Sequence, residues 1–187
     1  MNRVPTSSQT IGPFFSIGLD RLCSANFADD AAHGERIFVK GAVLDGDGLP
    51  VPDALLEIWQ ADGDGHYCDG AEDASAEAPF RGFGRVATDE QGRFQFATIK
   101  PGRVKGEGNM EMAPHLVVSI FMRGLLTRLV TRIYFPNEAK NADDPVLQLV
   151  PTGRRDTLIA KASAARLGTF EWNVVLQGPN ETVFFSC

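Results

Sequence analysis

The alternation of apolar and polar residues along this chain predicts a series of short β-strands. The clearest pattern is the apolar run at 115–121, which is typical of a buried strand. Further strand patterns occur at 37–44, 54–59, 83–88, 93–99, 125–135, 170–176 and 181–185. Many short strands, glycine-rich turns and few helices together predict an all-β fold, an antiparallel β-sandwich of the prealbumin or immunoglobulin type.

Turn-forming residues separate these strands. Tight Asp-Gly turns are expected at 45–48 and 62–65, and the turn signal at 89–92 predicts a hairpin between the strands at 83–88 and 93–99. Two short helices are also expected. One begins at Asp143-Asp144-Pro145, with an Asp cap and Pro in the first turn, and the other covers 154–162.

Residues 1–35 show no clear period and lead into the strands. Phe14 and Phe15 follow a Gly-Pro pair, and exposing two neighbouring phenyl rings to water is costly. We therefore expect residues 1–35 to be an arm that docks on the protein itself or on a partner. Residues 36–187 are expected to form one β-sandwich domain, because 187 residues with 43% hydrophobic content suit a single core.

Composition excludes several classes of partner. The net charge of −6, without a run of Lys or Arg, argues against nucleic acid and anionic membranes. No signal peptide and no apolar stretch approaching the ~20 residues of a membrane span is evident, so the cytoplasm is the expected location. The three cysteines, Cys23, Cys68 and Cys187, are far apart and are expected to be reduced thiols.

Metal chemistry depends on few residues, because the chain has three His and two Tyr. On a strand, His115 and Val117 point to the same side, roughly 6 to 7 Å apart. Two histidines there would offer two imidazoles to one metal ion, but Val117 leaves half of that pair missing. Tyr67 and His115 could still form a metal pair. The alternative, which the residues favour, is a packed tyrosine and a histidine satisfied by hydrogen bonds.

The residues suggest two other kinds of site, one for calcium and one for an anion. The Asp-Gly segments at 45–48 and 62–65 suit calcium in composition, but the spacing of an EF-hand loop is not met, so we set calcium aside. Arg132 lies in the strand pattern at 125–135, and its planar guanidinium suits a carboxylate. It could hold an anionic ligand, hold a partner's acidic side chain, or form an internal salt bridge.

Ordered matches along nearly the whole chain resemble the intradiol ring-cleavage dioxygenase family of bacterial aromatic-acid catabolism, the β-ketoadipate pathway. The matching segments are 8–14, 56–62, 65–67, 83–85, 98–102, 113–115, 131–135, 158–161 and 181–185. Within that family the chain is similar to the alpha-type subunit of the hetero-oligomer that cleaves 3,4-dihydroxybenzoate with O2 to 3-carboxy-cis,cis-muconate.

The resemblance also implies where a metal site has been lost. Active members hold non-haem Fe(III) with two Tyr and two His. The corresponding positions here are Tyr67, Val104, His115 and Val117, and an Arg of active chains corresponds to Met112. Because valine has no lone pair, these positions are expected to be vestigial, with no metal bound and no catalytic residue in this chain alone.

The resemblance further implies a partner, a beta subunit that carries the Fe(III). The alpha-type arm of the family helps to line the substrate pocket of that subunit. This role falls on Thr10, Gly12, Pro13 and Phe14, together with Arg132, which would lie near the carboxylate of a small aromatic acid. A higher-order hetero-oligomer is expected. The alternatives are a self-sufficient dioxygenase for another catechol, and a ligand-binding or interaction β-sandwich with no catalytic partner.

Overall fold

The computed structural model describes residues 5–12, 14–68, 78–106, 108 and 110–186, with Ser16 described by its backbone alone. Pro13 and Cys187 therefore lie outside the described residues. Within the described part, a helix α1 covers Phe14–Leu19 and is followed by eleven strands. The strands are β1 Arg36–Leu44, β2 Leu55–Gln60, β3 Phe83–Ala87, β4 Arg93–Ile99, β5 Val104–Lys105, β6 Glu111–Met112, β7 His115–Phe121, β8 Leu129–Tyr134, β9 Lys161–Ala162, β10 Thr169–Glu171 and β11 Val174–Val175.

Two sheets pack face to face, which confirms the predicted β-sandwich. One sheet has the order β3-β2-β7-β8 and is antiparallel throughout. In the other, β1 pairs antiparallel with β4 along one edge, and parallel with β10 and then β11 along its other edge. β9 extends that sheet beyond β10, and β5 and β6 form a separate small ribbon. No helix among the described residues is long and apolar enough to cross a membrane.

The core lies between the two sheets and follows from the period of two in the strands. In β7, Leu116, Val118 and Ile120 are fully buried, whereas the residues between them face the opposite side. Phe94 and Phe96 of β4 also point into this core, as their alternation predicts. The odd-numbered residues of β7 consequently lie on the outer face of the four-stranded sheet.

Residues 24–28 close the open edge of the sandwich. Ser24 donates its backbone N–H to Arg85 of β3, and Phe27 donates its own to Ala97 of β4, so the segment ties one sheet to the other. The Phe27 ring enters the core and stacks on Phe96, with ring centroids 4.9 Å apart. The assignment of residues 1–35 as a docking arm stays a prediction.

Three turns share one local design in which an Asp precedes a glycine with positive φ. Asp45, Asp62 and Asp89 each accept two backbone N–H bonds on Oδ1, and the glycines at 48, 65 and 92 have φ of 77°, 86° and 67°. The predicted Asp-Gly turns are thus confirmed. The predicted hairpin at 89–92 is wrong, because β3 and β4 belong to different sheets and the turn carries the chain from one to the other.

Substitution of two of these glycines separates backbone strain from crowding. Gly48→Ala is expected to cost about 1 kcal/mol, since its Cβ would meet open space and only the left-handed backbone is strained. Gly65→Ala is expected to cost about 2–3 kcal/mol, because the Cβ would also overlap the backbone carbonyl of Arg103. Urea unfolding of both variants measures the difference, and equal costs would contradict the close approach of these two loops.

Strand and helix boundaries differ from prediction in the last third of the chain. β8 begins only at Leu129, and the run predicted at 170–176 is split into β10 and β11. The Asp144 cap is present, but it starts a single 3-10 turn at Leu147–Leu149. The helix predicted at 154–162 is a 3-10 helix at Thr152–Leu158, followed by β9. At 181–185 the structure has only an isolated bridge between Phe185 and Val130.

Candidate functional site

The outer face of the four-stranded sheet gathers the chemically active side chains at one end. Across β7 and β8, His115 lies opposite Tyr134, and Val117 lies opposite Arg132. All four residues point away from the core, because the residues between them on both strands are buried between the sheets. This cross-strand set forms the floor of the candidate site.

Two loops bring the remaining predicted positions to the same place. The Tyr67 ring stacks on Trp59 at a centroid distance of 4.4 Å, and Trp59 pairs with Val117 in the sheet. Val104 lies opposite Met112 in the β5–β6 ribbon, and the Met112 sulfur is 3.6 Å from Nη1 of Arg132. The positions predicted as vestigial ligands, at 67, 104, 115 and 117, therefore converge around Arg132.

His115 is buried and has one unused ring nitrogen. Its Nδ1 lies 2.7 Å from the carbonyl oxygen of Ala113, which only accepts hydrogen bonds, so Nδ1 carries the proton. Nε2 is buried and has no hydrogen-bond partner among the residues that the structure describes. Burial, reinforced by the positive charge of Arg132, lowers the pKa of His115 to about 4 and outweighs the opposing effects of Ala113 and Asp144. The imidazole is consequently neutral at physiological pH.

A buried carboxylate, Asp144, organises the floor of the site from below. Its Oδ1 accepts the Tyr134 hydroxyl at 3.0 Å, and its Oδ2 accepts the backbone N–H of Ala113 at 2.8 Å. Oδ1 also caps the turn that follows by accepting the backbone N–H groups of Val146 and Leu147. The carboxylate thus fixes both Tyr134 and the loop that leads into His115.

Arg132 is half-buried and has no carboxylate within salt-bridge distance among the described residues. Its hydrogen-bond contacts are the Tyr134 hydroxyl at 3.4 Å and the Met112 sulfur, both from Nη1. Its charge also opposes the rise that burial causes in the pKa of Tyr67. The internal salt bridge considered from the sequence is therefore absent from the part of the chain that the structure describes.

The residues at these positions do not fit the ferric ion that the resemblance implies. Val104 and Val117 have no lone pair to donate, and burial raises the pKa of Tyr67, which disfavours a phenolate. His115 alone offers a free nitrogen. Within the described ranges, no three His, Cys, Asp or Glu side chains form a group that could hold a metal.

Thr10 and Phe15 lie at the opposite end of the same outer face. Thr10 accepts the backbone N–H of Gly124 at 2.8 Å, and the Phe15 ring packs on Phe121 at 5.5 Å. Phe121 is four residues along β7 from Val117, about 13 Å away at the usual rise of a strand. Gly12 and Phe14 are exposed, and 81% of Phe14 is accessible. The structure thus places Thr10 and Phe15 on the same face as Arg132 but at the other end of it.

Trp59, Tyr134 and Asp144 were not identified from the sequence as members of the site. The Asp-Pro pair at 144–145 signalled a helix cap, and that local role is present. The bonds of Asp144 to Tyr134 and Ala113 join segments 10 and 31 residues away. A local signal in the sequence carries no information about such long-range partners.

The low pKa of His115 makes folding stability depend on pH. In the unfolded chain the imidazole binds a proton below its usual pKa of 6.5, whereas in the folded chain it does so only near pH 4. Stability is therefore complete only well above pH 6.5 and is expected to fall by about 2 kcal/mol between about pH 8 and pH 5. Urea unfolding of the wild type and of His115→Asn, which cannot titrate, measures this; the same slope in both proteins would refute it.

Sequence comparisons relate this chain to known proteins. A family model described as Dioxygenase matches residues 12–178. The chain is 45% identical to the protocatechuate 3,4-dioxygenase alpha chain of Burkholderia cepacia, covering 96% of both chains. It is 41% identical to the alpha chain of Pseudomonas putida, covering 96% of this chain and 95% of that one. With the beta chain of B. cepacia the identity is 40%, over 80% of this chain and 67% of that one.

Solved structures share the fold. The dioxygenase domain of a carbohydrate-binding fusion protein from Streptomyces sp. SirexAA-E superposes with a TM-score of 0.65 at 25% identity, covering 86% of this chain and 89% of that one. The 3-chlorocatechol 1,2-dioxygenase of Rhodococcus opacus 1CP has a TM-score of 0.64 at 22% identity, covering 92% of this chain and 67% of that one. The resemblance inferred from the sequence is confirmed.

Proposed function

Since this chain belongs to the intradiol dioxygenase family, we propose that it is the alpha subunit of a protocatechuate 3,4-dioxygenase. In this role it completes the substrate pocket and the assembly of an iron-bearing beta subunit, and it does not itself cleave the ring. Similarity to two alpha chains over 96% of this chain supports the assignment. The match to a beta chain supports a pseudo-symmetric partner of the same fold.

One observation carries the proposal: the site is intact as a scaffold but lacks the groups that would bind a metal. Tyr67 and His115 converge with Val104 and Val117, yet the two valines line the site with methyl groups. The non-haem Fe(III) of the family is accordingly held by the beta subunit, where it supplies the Lewis-acid and oxygen chemistry. Localisation in the cytoplasm fits the small aromatic acids of bacterial catabolism.

The contribution of this chain is shape and charge. Arg132, which has no carboxylate partner among the described residues, provides a guanidinium for the carboxylate of 3,4-dihydroxybenzoate at the interface between the subunits. At the other end of the same face, Thr10, Gly12 and Phe14, together with Pro13, which lies outside the described residues, would meet the pocket of the beta subunit separately from Arg132. Trp59 and Phe83 remain 46% and 42% exposed beside the site, which suits a face that a partner covers in a hetero-oligomer.

Expression of this chain alone, of the beta subunit alone and of both together tests the proposal. We expect iron and the visible absorption of Fe(III)-tyrosinate in the complex and in no preparation of this chain alone. The complex is expected to convert 3,4-dihydroxybenzoate with O2 to 3-carboxy-cis,cis-muconate. Stoichiometric iron and ring cleavage in this chain alone, or failure of the two chains to associate, would refute the proposal.

A further inference from the structure

A guanidinium binds a substrate carboxylate more tightly when its orientation is already fixed before the substrate binds. Arg side chains have many rotamers, and ordering them on binding reduces affinity. Arg132 has a carboxylate partner nowhere in the described part of the chain, so an ion pair does not hold it. Its orientation depends instead on the two contacts of Nη1, the Tyr134 hydroxyl and the Met112 sulfur.

The Tyr134 hydroxyl can accept a hydrogen bond in a fixed direction, because its own proton is already donated to Asp144. Tyr134 is fully buried and donates that proton to Oδ1 of Asp144 at 3.0 Å. Asp144 is itself fully buried and accepts backbone N–H groups from Ala113, Val146 and Leu147 at 2.8 to 3.0 Å. A carboxylate held by three backbone groups cannot turn, and neither can the hydroxyl that donates to it.

The remaining face of the guanidinium is left open. Among the described residues, Nε and Nη2 of Arg132 have no hydrogen-bond acceptor, and Arg132 is partly exposed. A guanidinium anchored through one nitrogen presents its other donors in a fixed plane, which is the geometry of bidentate carboxylate binding. Burial raises the pKa of Tyr134 above its ordinary value, and the charge of Asp144 adds to this rise while that of Arg132 opposes it, so the hydroxyl keeps its proton.

We propose that Tyr134 and Asp144 are positioning residues, which aim Arg132 at the carboxylate of the aromatic acid. This inference rests on the proposed function and deepens it. Asp144 holds the Tyr134 hydroxyl, the hydroxyl oxygen holds Nη1 of Arg132, and the free donors of Arg132 meet the substrate. Neither Tyr134 nor Asp144 touches the substrate.

A double-mutant cycle in the complex with the beta subunit tests this inference. The variants are Tyr134→Phe, Arg132→Met and the combination of both, assayed with 3,4-dihydroxybenzoate and with 4-methylcatechol, which lacks the carboxylate. Tyr134→Phe is expected to raise the KM for 3,4-dihydroxybenzoate about 5- to 20-fold with kcat unchanged, and to leave the kinetics with 4-methylcatechol unchanged. In the Arg132→Met background, Tyr134→Phe is expected to add nothing, because the residue being aimed is already absent.

A matched control removes a buried hydrogen bond on the same strand without touching Arg132. The buried Thr131 donates its hydroxyl to the Val183 carbonyl at 2.8 Å, so Thr131→Val has a comparable structural cost and is expected to leave KM unchanged. If Tyr134→Phe does not assemble, Asp144→Asn, which keeps the side-chain volume, gives the same readouts.

The outcomes distinguish the positioning role of Tyr134 from the proposed function of the chain. If Arg132→Met raises the KM for the carboxylate substrate and Tyr134→Phe does not, the positioning role is refuted and the proposed function stands. If the two variants have additive effects, or if Tyr134→Phe impairs both substrates equally, the role of Tyr134 is structural and the inference is overturned. If Arg132→Met leaves KM unchanged, the pocket role of Arg132 in the proposed function fails, and the positioning role fails with it.

Discussion

Replacement of Phe27 by alanine is expected to lower the free energy of unfolding by about 3–5 kcal/mol. The side chain is 3% exposed, stacks on Phe96, and lies over Gly84, where even a single Cβ would overlap the ring. Removal of the ring leaves a cavity at the edge of the core, because the backbone on either side is tied to both sheets and cannot collapse into the space. Urea unfolding of the purified chain measures the loss.

Phe14→Ala is the matched control for this result. Phe14 is 81% exposed, so the same deletion is expected to change the free energy of unfolding by less than about 0.5 kcal/mol. Equal effects of the two variants, or a loss below about 1 kcal/mol for Phe27→Ala, would show that residues 24–28 do not close the sandwich as the structure describes.

Arg132→Met in the complex is expected to raise the KM for 3,4-dihydroxybenzoate by about 30- to 150-fold. A charge-assisted hydrogen bond to a carboxylate in a partly desolvated site is worth about 2–3 kcal/mol, and its loss weakens ground state and transition state alike. For that reason kcat is expected to stay within about twofold. Methionine approximates the length of the side chain and removes only its charge and its donors.

Two comparisons make the Arg132 result specific. The KM for 4-methylcatechol should not change, because that substrate has no carboxylate for the guanidinium to bind. Arg166→Met serves as a positional control, since Arg166 lies over the Phe38 ring on the five-stranded sheet and far from the site. A similar rise in KM for Arg166→Met, or for the substrate without the carboxylate, would indicate a general effect on the assembly.

Local sequence signals predicted several elements of the fold for clear physical reasons. The strands at β1, β4 and β7 were placed within a residue of their observed bounds, because their side chains alternate between a buried and an outer face. The Asp-Gly turns were predictable because the Asp side chain bonds to backbone groups two and four residues ahead. Which strands each turn connects was not predictable. A turn signal indicates that the chain reverses direction, but not which sheet it enters next.

In the candidate site, too, local sequence predicted some features and not others. His115 and Val117 were placed on one face by the spacing of two, and the absent metal ligands at Val104 and Val117 were inferred by resemblance to the family. That Tyr67 and Val104 lie near His115 and Val117 could be seen only in the structure. Tyr67 is placed there by stacking on Trp59, and Val104 by pairing with Met112. These contacts join different loops, so the alternation of a single strand could not indicate them.

The sequence by itself determined the β-sandwich class, the main strands and turns, and the family, because each of these depends on residue identities or on spacings of a few residues. Only the tertiary structure decided that Phe27 closes the core, that Thr10 and Arg132 lie at opposite ends of one outer face, and that Asp144 lies beneath Tyr134 and Arg132. Those features depend on contacts between distant segments, which form only when the two sheets pack and their loops meet.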